Sequence, residues 1–127
     1  MPKPYYSKKV IQHFVKPKNF GKIKNADSVG EVGNPRCGDI MKIYLKVAKK
    51  AGKEVIKDIK FETLGCAAAV ATSDMMCELA KGKTFKDALK IDYKNISKEL
   101  GDLPVVKIHC ARLAQEGLKA AVENYAK

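Results

Sequence analysis

The stretch Met41-Lys42-Ile43-Tyr44-Leu45-Lys46-Val47-Ala48 decides the fold of this chain. Side chains on an extended backbone alternate between two faces. Met41, Ile43, Leu45 and Val47 therefore share one side, and Lys42, Tyr44 and Lys46 the other, which predicts a strand buried on one face and solvated on the other. Downstream, after a turn around Ala51-Gly52, Val55 to Thr63 repeats the pattern less cleanly, with Ile59 and Phe61 on the same face. Two such runs joined by a short glycine-containing connection predict an antiparallel hairpin. Upstream, Val29 to Gly33 reads as a short strand ended by the turn-forming Asn34-Pro35.

The rest of the chain reads as helix. Ser7 is placed to cap a short helix, SKKVIQHF, with Val10, Ile11 and Phe14 on one side, stopped by Pro17, Asn19 and Gly21. Ala67 to Lys81 is rich in helix formers and ends at Gly82. Thr84 followed by Asp87 resembles a cap for a further short helix, and Asn95 to Leu100 suggests another. Beyond Pro104, Leu113, Ala114, Leu118, Ala121 and Val122 can form one apolar face. A first half that supplies a small, about three-stranded antiparallel sheet and a second half that covers one of its faces with helices define an α+β protein. The 127 residues are enough for one domain with a real core, spanning 1–127, and too few for two.

Composition narrows the function classes. With 46% hydrophobic residues the chain is globular rather than disordered. No apolar run approaches the length of a bilayer span, so no membrane association is expected. Seven lysines precede the first acidic residue, Asp27, but that segment lacks arginine, and its motif content starts by Tyr6, leaving no room for a cleavable leader. Four cysteines without a signal peptide argue for ligands or nucleophiles in a reducing compartment, and a cytoplasmic location is expected. The net charge of +11 is almost all lysine, since Arg36 and Arg112 are the only arginines. Base readout favours arginine, so no nucleic-acid partner is expected; the basic surface would attract acidic proteins.

Five residues form a candidate metal site: Cys37 and Asp39 in NPRCGD, Cys66 in LGCAAAVATSD, and His109-Cys110 in VVKIHCARLAQEG. Three thiolates, one imidazole and one hard carboxylate suit iron or zinc but fit no closed structural zinc pattern. The wide spacing and the weak carboxylate point to a site that must also release what it holds. Cys37 and Asp39 point the same way if the chain is extended there, and Gly38 leaves the backbone open to close approach. Cys66 falls at a helix N-terminus, where the dipole and unpaired amides favour the thiolate. His109 and Cys110, adjacent on a helix, diverge by about 100° unless they sit at a loop-to-helix junction. Lys107 can favour a thiolate there or pair with Asp39. Cys77 is set apart: about 16 Å along the helix from Cys66 at 1.5 Å per residue, it reads as a core residue. His13 receives no role.

The segments YSKKVIQHFVKPKNFG, VGNPRCGDIMKIYLKV, LGCAAAVATSDMMCELAKGKT and LPVVKIHCARLAQEGLKAA resemble, in order, spacing and context, the iron–sulfur cluster assembly scaffolds of the IscU type, equivalent to the N-terminal domain of NifU. The resemblance implies Cys37, Cys66 and Cys110 as cluster thiols, with Asp39 and His109 as exchanging or completing ligands. It implies a transient [2Fe–2S] cluster built from Fe2+ and from persulfide sulfur delivered by a cysteine desulfurase, first onto Cys110. It also implies electrons from a ferredoxin-type donor, delivery to apo iron–sulfur proteins, Zn2+ in the same pocket when iron is absent, and a monomer or weak dimer.

Two positions depart from the family pattern. Val105 replaces the second proline of Leu-Pro-Pro-Val-Lys, restoring a backbone donor and arguing against recognition by a dedicated Hsp70-type chaperone. Ala67-Ala68-Ala69 replaces the usual Gly-Ser-Ala after the second cysteine and should stiffen that helix start. The rival readings are a zinc-dependent sulfurtransferase of the SufU type and a structural zinc module that binds other macromolecules. SufU-like chains carry an insertion between the second and third cysteines and lack a histidine beside the last, whereas this chain has no insertion and has His109. An electron-transfer ferredoxin lacks support, because its clustered cysteine spacing is missing.

Overall fold

The computed structural model describes residues 7–34 and 39–125, with the backbone alone at Asn34, Asp39 and Val106. Its sheet has three antiparallel strands in the order β1 (Ser28–Asn34), β2 (Asp39–Lys50) and β3 (Lys53–Thr63). The alternation read from the sequence holds in β2, where Met41, Ile43 and Leu45 are fully buried. Tyr44 is the exception on the opposite face: its ring is largely covered and its hydroxyl donates to Glu62 Oε1 at 2.5 Å.

The pattern in β3 is blurred for a physical reason. Lys46 faces Asp58 but Val47 faces Ile56, so Lys57 is an extra residue that bulges out of the ladder. The bulge resets the phase, and Ile56, Ile59 and Phe61 all reach the core although the first two are three residues apart. Between β2 and β3, Lys50 pairs with Lys53 across a two-residue loop in which Ala51 and Gly52 both have positive φ, 52° and 77°. That is the handedness that a tight hairpin between twisted strands requires.

Among the described residues five α-helices complete the fold: α1 (Lys8–Val15), α2 (Ala67–Ala80), α3 (Phe85–Ala88), α4 (Tyr93–Glu99) and α5 (Ile108–Tyr125). Helix α2 is buried around most of its girth, including Thr72, Ser73 and Asp74, as befits the central helix of the layer. It touches α1, α4, α5 and β3. Ser7 caps α1 by accepting from the Val10 amide, and its hydroxyl also donates to the Leu100 carbonyl. Only Val10 of the expected apolar trio is buried; Ile11 and Phe14 are each 46% exposed. An eight-residue helix resting mainly on α2 covers a narrow stripe rather than a broad face.

Helix α4 starts two residues earlier than the sequence suggests. Asp92 accepts from the Asn95 amide and Asn95 accepts from the Asp92 amide, so asparagine takes the part that glutamate or glutamine plays in the usual capping box. Helix α5 lies across β1 and β2. Its approach depends on Gly30, where an added Cβ would stand 2.4 Å from the Ala121 nitrogen and 2.6 Å from the Gly117 oxygen. Ser28 Oγ donates to the Ala121 carbonyl and Asn124 Nδ2 to the Val29 carbonyl, binding the same two elements. Among the described residues no helix is long and apolar enough to cross a membrane.

Candidate metal and sulfur site

The strand pairing carries the Asp39 backbone and the segment leading to Cys66 to one end of the sheet. At the start of β2 the Ile40 carbonyl accepts from the Leu64 amide at 3.2 Å and from Thr63 Oγ1 at 2.8 Å. The backbone of Asp39 is thereby held beside the chain leaving β3, two residues before Cys66. Cys66 is the N-cap of α2, with φ −75° and ψ 179°. From the other side, a 3-10 turn (Val105–Lys107) leads into α5, whose first turn carries His109 and Cys110.

Helices α2 and α5 meet at these termini. Cys66 Sγ lies 3.9 Å from Cys110 Sγ, Lys107 Nζ lies 3.8 Å from Cys66 Sγ, and His109 Nε2 lies 3.5 Å from Cys110 Sγ. Thr72 Oγ1 donates to the Cys110 carbonyl at 3.3 Å and fixes the α5 backbone against α2. Cys110 is 1% exposed and packs with Ala68 and Ala69, while Cys66 packs against that cluster and is partly exposed.

The imidazole thus turns back toward its neighbouring thiol, and the divergence of adjacent helical residues does not separate them. Two thiolates on one tetrahedral ion with bonds of about 2.3 Å stand about 3.8 Å apart. The observed sulfur separation of 3.9 Å matches that edge, so the donor chemistry and spacing of the two thiols suit a shared iron or zinc ion.

The electrostatics favour a thiolate at Cys66. Burial alone would raise its pKa, but the Ala69 and Ala68 amides, without closing a capping hydrogen bond, the Cys110 thiol and the Lys107 ammonium together outweigh burial and lower it. Cys77 is the opposite case. It is fully buried in α2, and burial, followed by the charges of Asp74, Asp58 and Glu78, pushes its thiol well above the ordinary value. That is an inert core thiol, as the helical spacing from Cys66 suggests.

Of the five expected ligands, the structure brings together Cys66, His109 and Cys110 and sets the Asp39 backbone at the same end of the sheet. Cys37 and the Asp39 side chain lie outside the described residues. Lys107 is placed at Cys66.

Residues 5–127 match the family described as NifU-like N terminal domain. The chain belongs to that family. It is 53% identical over 120 residues to the iron-sulfur cluster assembly scaffold protein IscU 1 of Archaeoglobus fulgidus, covering 94% of this chain and 76% of that one. It is 45% identical over 120 residues to the scaffold protein IscU of Aquifex aeolicus, covering 94% and 75%. Among solved structures, the iron-sulfur cluster assembly scaffold protein for the SUF system from Fervidobacterium islandicum AW-1 superposes with a TM-score of 0.68 at 29% identity, covering 93% and 96%. The N-terminal NifU-like protein of Brucella abortus, at 22% identity and a TM-score of 0.61 over 94% of this chain and 91% of that one, shares the fold.

One polar cluster of this NifU-like domain escaped the sequence reading. His13, expected to have no partners, places Nδ1 2.6 Å from Oδ2 of Asp74. Asp74 is fully buried, and its Oδ1 accepts from the Asn19 amide at 2.9 Å and from Asn19 Nδ2 at 3.0 Å. A buried carboxylate with donors on both oxygens is satisfied, and it ties α1 and the following turn to α2. Glu78, one turn further, brings a third group, and the three possible ligand atoms lie within 4.8 Å of one another, but Lys16 and Lys18 line the same pocket. The sequence signal was the single aspartate of α2, set between Ser73 and the apolar pair Met75-Met76.

Proposed function

We propose that this NifU-like domain is a scaffold on which a transient [2Fe–2S] cluster is assembled and from which it is transferred to apo-proteins. The observation that carries the reading is the pair of thiols from α2 and α5, 3.9 Å apart, with a histidine and a lysine against them. Relatives that share about half its residues over most of its length are named scaffold proteins rather than enzymes.

In this reading Cys37, Cys66 and Cys110 supply thiolates, Asp39 and His109 complete or exchange ligation, and Cys110 carries the sulfane sulfur. Fe2+ and a cysteine desulfurase furnish the cluster's components. A ferredoxin-type donor supplies the two electrons that convert each sulfane sulfur to sulfide. In this reading the protein works in the cytoplasm, whose reducing conditions keep such thiols available, and acts as a monomer or weak dimer. Zn2+ fits the same donors and competes with iron for them. The rival zinc-dependent sulfurtransferase reading draws on the shared fold of the SUF-system relative. His109 against Cys110 favours the scaffold.

Anaerobic incubation with Fe2+, L-cysteine and a desulfurase, followed by visible absorption and circular dichroism, should develop a [2Fe–2S] spectrum. That spectrum should then transfer to an apo-ferredoxin. Absence of a cluster together with zinc-dependent persulfide turnover would overturn the scaffold in favour of the sulfurtransferase.

A further inference from the structure

The densest charge in this chain lies at the end of the sheet away from the thiols. Residues 49–58, around the turn between β2 and β3, and residues 81–90, from the end of α2 through α3, carry eight lysines against three carboxylates. About a sixth of the sequence thus holds +5 of the net +11. The fold joins the two segments. The Ile56 amide donates to the Lys83 carbonyl at 2.9 Å and the Gly82 amide to the Ile56 carbonyl at 2.8 Å, and Thr84 bridges Val55, so this connection runs along the edge of β3.

Little of the charge is neutralised from within. Asp58 pairs with Lys81 at 3.5 Å and Asp87 with Lys90 at 3.7 Å, and Glu54 stands opposite Lys49 in the ladder. Lys50, Lys53, Lys57, Lys83 and Lys86 are all exposed and make no ion pair among the described residues. Lys50 and Lys53 even face each other across the turn, where like charges repel. Lys53, Lys86 and Lys90 rim a cleft of about 380 Å³ between the hairpin and α3. Phe85 also lines it, partly exposed and held edge-on against Tyr125.

We propose that this end of the molecule is a docking surface for an acidic protein segment, which sets its carboxylates among the lysines and one aliphatic side chain against Phe85. Charge complementarity selects the partner. Every cation in the two segments is lysine, a hydrated point charge suited to carboxylates; the arginine forks that clamp phosphates and read bases are absent from them. Glu54 and Asp87 line the same cleft and oppose the unbroken charge of a nucleic-acid backbone, whereas a peptide can place its carboxylates around them. Exposed ion pairs are individually weak and screened by salt, so the contact is transient. Because β2 runs from Asp39 at the thiol end to Lys50 at this one, the docked partner leaves the thiols uncovered.

The test is fluorescence anisotropy of a labelled peptide of about eight Asp and Glu residues around one Leu, titrated with the whole chain, beside a labelled single-stranded oligonucleotide of equal charge. Raising salt from about 50 to about 200 mM should weaken the peptide severalfold. Lys53→Glu/Lys86→Glu should weaken it about tenfold or more, and Lys9→Glu/Lys98→Glu, the same charge change at exposed sites on α1 and α4, less than about twofold. Serine in place of the peptide's leucine should cost about threefold in affinity. Saturating peptide should leave the rate of Cys66 modification by iodoacetamide unchanged. Far-UV circular dichroism checks that the variants fold, and the wild-type measurements stand without them. No wild-type binding, equal weakening in the two double variants, a serine peptide that binds as tightly, an oligonucleotide that binds more tightly, or protection of Cys66 overturns the proposal.

Discussion

The charge beside Cys66 makes its reactivity a reporter of the site. In the metal-free protein its thiolate should persist below the ordinary cysteine range, because helix amides and Lys107 favour the anion more than burial opposes it. Removing the ammonium takes away one of those favourable influences. Lys107→Ala should therefore move the midpoint of the pH profile for iodoacetamide modification of Cys66 upward, while Lys90→Ala, remote in the fold, should leave it alone. An unchanged midpoint in Lys107→Ala would detach the lysine from this role. Asp39 belongs to the same scale. A hard oxygen ligand holds an iron–sulfur centre weakly, so Asp39→Ala should lengthen the life of the assembled cluster several-fold, followed by the decay of its visible absorption. Decay as fast as in the wild type would remove Asp39 from release. The proximity of Cys66, His109 and Cys110 was legible in the sequence because cysteine and histidine are rare in this chain and have few structural uses. Asp74 was not, since a carboxylate inside a helix is ordinarily solvated, and only the packing of α1 reveals its burial.

Among the elements, the union of β1 with α5 is the least forgiving. Gly30 admits the α5 backbone where any Cβ would collide, and the atoms it would meet are main chain that cannot rotate away. Gly30→Ala should cost about 2 kcal/mol or more, as overpacked cores do, measured as a lower urea midpoint with an unaltered slope. An unchanged midpoint would show that α5 shifts freely along the sheet. The strand β2 was readable because its alternation is unbroken, and α2 because its helix formers run up to Gly82. The blur in β3 came from Lys57, whose bulge shifts the phase of every residue before it. The start of α4 was misplaced because its cap is an aspartate–asparagine exchange rather than the usual glutamate. The breadth of α1's buried face was overestimated, since sequence periodicity does not say how many neighbours a helix will have.

At the scale of the whole molecule, core and site are nearly separate. The large buried side chains, Phe61, Met41, Ile43, Leu45, Ile56, Ile59, Met76 and Leu118 among them, form one cluster, while Cys110, Ala68 and Ala69 form another. A domain with such an independent core is expected to fold without metal, unlike small zinc modules that unfold on chelation. Treatment with a strong chelator should therefore leave the far-UV circular dichroism intact and lower the melting temperature by only a few degrees. Loss of the folded spectrum would instead identify a structural metal. The Ala51-Gly52 turn carries a practical corollary. It stands at the far end of β2 from Asp39, and a strand of that length puts about 35 Å between them at about 3.3 Å per residue. A fluorophore or affinity tag grafted onto that hairpin tip would ride clear of the reactive end, allowing partner encounters to be watched or the protein tethered with its chemistry undisturbed.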